Sequence, residues 1–143
     1  MNSPLTPSFL NGLAAELRNY LVLCEEILHL SAHENQALSG PGLYQPVEFQ
    51  ERRRQLLPNL DALLAKLRSR RLVWQQAPKP ERERCGEITP LFQNIQDKLM
   101  KILLLDRENQ QIMLRRGLVP PNHLPVPTPK PNYVASVYQR HAA

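Results

Sequence analysis

The sequence predicts an all-α protein: three long antiparallel helices in an elongated helical bundle, followed by a Pro-rich C-terminal tail. Leu, Gln, Arg, Glu and Ala outnumber the β-branched and aromatic residues, a composition that favours helices over sheets. Apolar residues recur every three or four positions over three long stretches. Proline and glycine separate these stretches, and six of the fourteen prolines fall between Pro120 and Pro131. The excess of proline therefore belongs to the tail and not to the core.

The first stretch predicts an amphipathic helix that begins at Thr6-Pro7, with Thr as the N-terminal cap and Pro at the first helical position. It should end near Leu38, because the following Ser-Gly-Pro-Gly cannot continue a helix. The predicted core-facing positions are Leu10, Leu13, Leu17, Tyr20, Cys24, Ile27 and Ser31.

The second stretch predicts a helix that begins at Pro46 and ends before Ala77. Arg53 and Arg70 fall on its apolar face, and we expect them near the edges, where their stems pack and their charges reach water. Pro58 interrupts the pattern and predicts a kink. The predicted core-facing positions are Phe49, Leu56, Leu60, Leu63, Leu67 and Trp74.

The third helix begins between Glu81 and Pro90, with Thr89-Pro90 as a second cap-and-proline start, and closes at Gly117. Asn109 interrupts its apolar face. A buried Asn can fix the register of packed helices, or it can face a groove and bond to a partner's backbone. The predicted positions on this face are Leu91, Ile95, Leu99, Ile102, Leu105, Asn109 and Ile112.

The chain divides into a bundle over residues 1–117 and a tail over 118–143. Alternating prolines up to Pro131 favour an extended polyproline II spacer. Tyr133, Val134, Val137 and Tyr138 then stand at helical spacing, in a segment too short to be stable alone. We expect it to order against another surface. Because three thin helices do not fully cover each other's apolar faces, part of the third helix should stay accessible to a partner.

The net charge of +5 is unevenly distributed: −3 over residues 1–45, +5 over 46–84 and +3 over 85–143. Attraction between an acidic first helix and a basic middle explains this pattern. The alternative is nucleic-acid binding by Arg52–Arg54 and Arg68–Arg71. Interleaved acids and the lack of a nearby aromatic platform favour the first interpretation.

No pattern in the sequence indicates a catalytic site or a cofactor. His29 and His33 are four residues apart and could hold a metal ion from one helix face, but no third ligand is evident. Cys24 and Cys85 belong to no metal-ligand pattern and fit a reducing compartment. Without an apolar run long enough to cross a bilayer or a secretory signal, the sequence predicts a cytoplasmic, non-enzymatic protein.

The end of the third helix reads Leu-Leu-Leu-Asp-Arg-Glu-Asn-Gln-Gln-Ile-Met-Leu and is followed by a Tyr-bearing tail. With the size and the plan of three long helices, these features resemble the FlgN-like flagellar export chaperones. The resemblance covers roughly residues 8–138 in plan, and its specific part is about 99–138.

This resemblance implies a cytoplasmic chaperone that binds the C-terminal amphipathic helices of flagellar hook-filament junction proteins and delivers them to the type III export gate. The implied client-binding residues lie on the third helix: Leu99, Ile102, Leu103, Leu105, Asn109, Ile112 and Met113. Tyr133, Val137 and Tyr138 would dock on the export-gate protein. A basic helical nucleic-acid binder and a self-associating adaptor are the alternatives that the residues leave open.

Overall fold

The computed structural model describes residues 6–118, and this part of the chain folds into four α-helices without a strand. They are α1 (Pro7–Ser39), α2 (Pro46–Gln75), α3 (Lys79–Arg84) and α4 (Ile88–Arg115). The short α3 lies in the connection between α2 and α4. Apolar periodicity does not reveal it, because none of its residues is buried.

The polar contacts between helices define their relative directions. Arg18, in the first half of α1, forms an ion pair with Glu87, which directly precedes α4. Arg116, which directly follows α4, donates a hydrogen bond of 3.0 Å from Nη1 to the carbonyl oxygen of Leu38 at the end of α1. Helices α1 and α4 therefore run in the same direction and pack along most of their length.

Helix α2 runs the opposite way. Arg70, near its end, lies 3.4 Å from the Glu16 carboxylate near the start of α1. Arg71 and Trp74, also near the end of α2, bond to Gln96 and Thr89 in the first half of α4. The bundle thus has α1 in close contact with α4, and α2 packed across both through longer side chains.

Two apolar clusters hold these helices together. The larger cluster includes most of the predicted core-facing positions of α1 and α2. A smaller one, at the end where α1 and α4 finish, contains Leu38, Tyr44, Phe49 and Met113. The half-buried Leu30 packs against both clusters. Burial of each large aliphatic side chain contributes about 1.5–3 kcal/mol to folding, so these clusters supply the main stabilising term.

The predicted ends of the long helices agree with the structure where the sequence supplies local caps. Thr6 Oγ1 accepts a hydrogen bond of 3.0 Å from the backbone N–H of Phe9, with Pro7 at the first helical position. At the other end of the chain, Gly117 has a φ of 73°. The N–H of Leu118 reaches the carbonyl of Met113 at 2.8 Å, and the N–H of Gly117 reaches that of Leu114 at 3.1 Å. This pair of bonds is the Schellman closure that the Gly at this position predicts.

The start of α4 differs from the predicted cap at Thr89-Pro90. The helix begins at Ile88 after Glu87, and the Thr89 hydroxyl accepts a hydrogen bond of 3.0 Å from the Trp74 indole N–H. Trp74 is almost fully buried, and a buried indole N–H requires an acceptor. The Thr89 hydroxyl therefore connects α4 to α2 and does not cap the start of α4.

Helix α2 continues from Pro46 to Gln75 without a break, and Pro58 within it is exposed to solvent. Over the described range, no helix combines the length and the hydropathy that a membrane crossing requires.

Candidate functional site

A buried polar junction joins all three long helices where α1 approaches its end. Its centre is Glu34 on α1, a fully buried residue. Tyr44, in the loop before α2, donates a hydrogen bond of 2.7 Å from its hydroxyl to Glu34 Oε2. Arg53 on α2 forms an ion pair with Glu34 Oε1. Asn109 on α4 donates from Nδ2 to the carbonyl of Ser31 at 3.0 Å and lies 3.5 Å from Glu34 Oε1.

The electrostatics of this junction depend on its burial. The Arg53 side chain is only 8% exposed, so the Glu34 charge is balanced inside the protein and not by water. Burial, and then the hydrogen bond to Glu34, raises the pKa of the Tyr44 phenol far above its ordinary value of 10.0. Tyr44 therefore stays a neutral donor at any physiological pH. The junction thus links α1, the loop before α2, α2 and α4 through buried polar contacts.

Arg53 differs from its predicted position at the edge of the bundle. It is buried, because the carboxylate that balances it comes from another helix, which the pattern within α2 does not show. Its Nη1 atom is the one buried side-chain nitrogen or oxygen without a hydrogen-bond partner over residues 6–118. Asn109 also bonds to Asn35, whose Nδ2 donates to Asn109 Oδ1 at 2.9 Å. Of the two roles left open for Asn109, fixing the helix register agrees with these contacts.

The predicted client-binding residues separate into two groups. Ile102, Asn109 and Met113 are at most 2% exposed and lie inside the protein's own core. A partner helix does not reach them unless α1 and α4 come apart, so their prediction as accessible binding residues needs correction. The apolar face of α4 is rotated relative to the predicted one, with Phe92 and Met113 buried in it. The others are half-buried at its edges: Leu99, Leu103, Leu105 and Ile112.

An exposed apolar stripe lies on the outer side of α4. We define the α4 stripe as Met100, Leu103, Leu104 and Leu114. Met100 is 54% exposed, Leu104 58% and Leu114 64%, and Leu103 is half-buried beside them. The spacing of three and four residues places Met100, Leu103 and Leu104 on neighbouring turns of one side. The interruption by Arg107 and Gln111 on this side explains why apolar periodicity alone does not find the stripe.

A second candidate site is an open groove between α1 and the first part of α2, with a volume of about 550 Å³. The His33 and Phe49 rings form a T-shaped pair at a centroid distance of 5.3 Å, and Tyr44 stacks on the same Phe49 at 5.7 Å. We call this the α1–α2 groove. Its lining residues are Glu26, His29, Leu30, His33, Val47, Glu48, Phe49, Glu51, Arg52 and Gln55.

The histidine pair belongs to this groove but forms no metal site in the structure. His29 and His33 both line it, as their spacing of four residues requires. Over the described range, however, no group of three His, Cys, Asp or Glu side chains is placed to hold a metal ion. Cys24 and Cys85 are both free thiols.

Both arginine clusters are engaged within the bundle. Arg52 lies 3.7 Å from Glu26, Arg54 lies 3.8 Å from Glu51, and Arg53 is buried against Glu34. In the second cluster, Arg70 pairs with Glu16 and Arg71 donates to Gln96. The attraction to the acidic first helix that the charge distribution suggests thus accounts for three of these side chains, Arg52, Arg53 and Arg70.

The predicted export-gate docking residues Tyr133, Val137 and Tyr138 lie outside the described residues. Comparison with protein-family models, with curated proteins and with solved structures gave no match.

Glu34 and the α1–α2 groove are the features that sequence reasoning missed. Glu34 follows Ser31 by three residues and so continues the apolar face of α1, which is the signal that could have revealed its burial. A carboxylate on such a face requires a cation from another helix. Arg53, the first arginine on the apolar face of α2, was the available partner.

Proposed function

We propose that the protein is an export chaperone that binds an amphipathic helix of an unassembled partner protein on the α4 stripe. The observation that carries this proposal is the exposure of Met100, Leu104 and Leu114 on one side of a helix whose other side is buried. Amphipathic helices bind to surfaces of this type through apolar residues at spacings of three and four.

The resemblance of the sequence to FlgN-like chaperones specifies the partner further. In this proposal the client is the C-terminal helical region of a flagellar hook-filament junction protein. Binding takes place in the cytoplasm, on an elongated bundle of three long helices in which each is antiparallel to the next along the chain, and prevents assembly before export. The Pro-rich tail then places Tyr133, Val137 and Tyr138 against the export-gate protein. No catalytic step and no cofactor belong to this function.

The chemistry of the stripe suggests which client helix fits. Arg107 is exposed between Leu104 and Leu114 on the same side of α4. A client helix with apolar residues at i, i+4 and i+14 and an acidic residue opposite Arg107 would match the spacing of Met100, Leu104 and Leu114. The half-buried Leu99 flanks the stripe, whereas Ile102, Asn109 and Met113 hold α4 in the bundle and contribute only indirectly.

The direct test is a pull-down of a purified junction protein by the full chain and by two matched variants. Leu104→Asp places a charge on the α4 stripe. Leu72→Asp places the same charge on α2, at a leucine that is 54% exposed. We expect Leu104→Asp to weaken binding at least tenfold, because a desolvated apolar contact is replaced by a carboxylate, and Leu72→Asp to bind like the wild type.

Circular dichroism should show unchanged helicity for both variants, since neither leucine is buried. Ile102→Asp is unsuitable for this test, because a buried carboxylate without a partner would disrupt the core. Equal loss of binding in the two surface variants, or no loss in either, would refute the α4 stripe as the client site. A mass that rises with concentration in light scattering, abolished by Leu104→Asp, would instead assign the stripe to self-association.

A further inference from the structure

We propose that residues 132–141 of the same chain bind in the α1–α2 groove. This inference goes beyond the proposed function, which places the same tyrosines against a partner protein, because it concerns a surface of the chain's own bundle and is tested on the protein alone. The proposed occupant of the groove is the segment that contains Tyr133, Val134, Val137 and Tyr138.

The described part of the chain ends close to the groove. Leu118 follows the closure of α4 and packs against the apolar cluster of Leu38, Tyr44, Phe49 and Met113. Phe49 is also part of the groove lining. The chain therefore leaves the bundle next to the groove. The thirteen residues 119–131 that follow span at most about 40 Å in polyproline II form, which is enough to place the next segment anywhere along it.

The α1–α2 groove and residues 132–141 match in length and in apolar character. The groove residues of α2 extend from Val47 to Gln55, a distance of about 12 Å along the helix axis. A ten-residue helical segment is about 15 Å long. Val47 is 72% exposed at the groove, and Leu30 is half-buried there. A segment with two tyrosines and two valines on one side would cover this apolar surface.

The charges of the groove and of the C-terminal segment are complementary. The groove contains three carboxylates and one guanidinium. Arg52 lies 3.7 Å from Glu26, and Glu51 is shared with Arg54 at 3.8 Å. Glu48 forms no ion pair within residues 6–118. Residues 119–143 contain Lys130 and Arg140 but no Asp or Glu. An acidic groove and a basic segment on the same chain attract each other at a high effective concentration.

The experiment compares backbone amide NMR spectra of the full chain and of a Tyr133→Ser/Tyr138→Ser variant. We expect shift changes confined to the groove residues of α1 and α2, namely residues 26–33 and 47–55. A matched control, Leu124→Ser/Val126→Ser, changes two apolar residues of the spacer and should leave the groove amides unshifted. All four substituted positions lie beyond residue 118, so the variants leave every residue of the described helices unchanged.

A second pair of variants tests the charges. Glu48→Lys/Glu51→Lys should produce the same direction of groove shifts as the tyrosine variant and should lower hydrogen-exchange protection of residues 132–141 roughly tenfold. Asp61→Lys, an exposed acid further along α2, should do neither. Unshifted groove amides in the tyrosine variant, or shifts at Met100 and Leu104 instead, would overturn the proposal. Groove shifts that disappear on dilution would replace it with binding between two copies.

Discussion

Glu34, Arg53 and Asn109 illustrate how single polar residues determine the packing of this bundle. Each lies on the core-facing side of a different long helix, and none is more than 7% exposed. Because a buried charge without its partner is unfavourable by several kcal/mol, the three helices are stable only in the arrangement that brings these groups together. Apolar side chains alone would tolerate a rotation of one helix, whereas this junction does not.

We expect Glu34→Gln to lower the free energy of unfolding by about 3 kcal/mol, because it leaves the buried Arg53 charge unbalanced. Glu26→Gln, which breaks the exposed pair with Arg52, should cost less than about 1 kcal/mol. Urea denaturation of both variants measures the difference. A Glu34→Gln/Arg53→Met double variant should recover much of the loss, since it removes both charges. Equal effects of the two single variants would contradict the role of the junction.

The Cys24 thiol gives the protein a specific dependence on alkaline pH. Burial, and then the neighbouring Glu25 charge, raises its pKa from 9.0 to about 11. Because the folded state holds the proton more tightly than the unfolded state, the stabilisation is complete below pH 9 and is lost as the pH rises towards 11. Tyr20, whose pKa is raised from 10.0 to about 12 by burial and by Glu16, adds to this loss only above pH 10.

Chemical denaturation between pH 8.5 and 10 therefore isolates the effect of Cys24. We expect the free energy of unfolding to fall with pH in the wild type and to fall less steeply in Cys24→Ala. Cys85→Ala, which removes the half-buried thiol, serves as the control for losing a cysteine. If the two variants follow the same slope as the wild type, the Cys24 proton is not linked to folding.

Individual roles were predictable from the sequence when they depended on local pattern. The placement of Cys24 on an apolar face predicts its burial, and the structure confirms it. Arg53 was placed wrongly, because its partner Glu34 is 19 residues away on another helix and no local rule joins the two. The burial of Ile102 and Met113 was likewise decided by the rotation of α4 against α1, which depends on the packing of both helices.

At the level of helices, the ends carry most of the local information. The start of α1 at Thr6-Pro7, the start of α2 at Pro46 and the closure at Gly117 agree with the structure, because caps, prolines and a left-handed glycine act within a few residues. No local signal of this kind predicts the start of α4 or the presence of the short α3. Thr89 has the composition of a cap, but the Trp74 indole competes for its hydroxyl.

The two glycines Gly12 and Gly117 should respond to alanine in opposite directions. At Gly117 the φ of 73° is unfavourable for a side chain, so Gly117→Ala should destabilise the protein by about 1 kcal/mol. At Gly12, inside α1, an added methyl group meets no atom within 4 Å. Gly12→Ala should stabilise by about 0.5–1 kcal/mol, because alanine is the better helix former. Thermal unfolding midpoints that shift in the same direction would contradict this assignment.

For the molecule as a whole, the shared clusters and the junction predict cooperative unfolding. Trp74, the single tryptophan, lies in the large cluster. It is separated from Arg53 by about 30 Å along the axis of α2. Its fluorescence therefore reports on the opposite end of the bundle from Glu34. We expect fluorescence and circular dichroism at 222 nm to give coincident urea transitions in the wild type and in Glu34→Gln. Separate transitions would mean that the two ends unfold independently.

The parallel course of α1 and α4 has a practical consequence for attaching labels. Thr6 begins α1 at one pole of the bundle, and Leu118 follows α4 at the other. The length of α1 separates them by about 50 Å. A fluorophore or affinity handle placed before Thr6 is therefore remote from Leu118, where the described chain ends after α4.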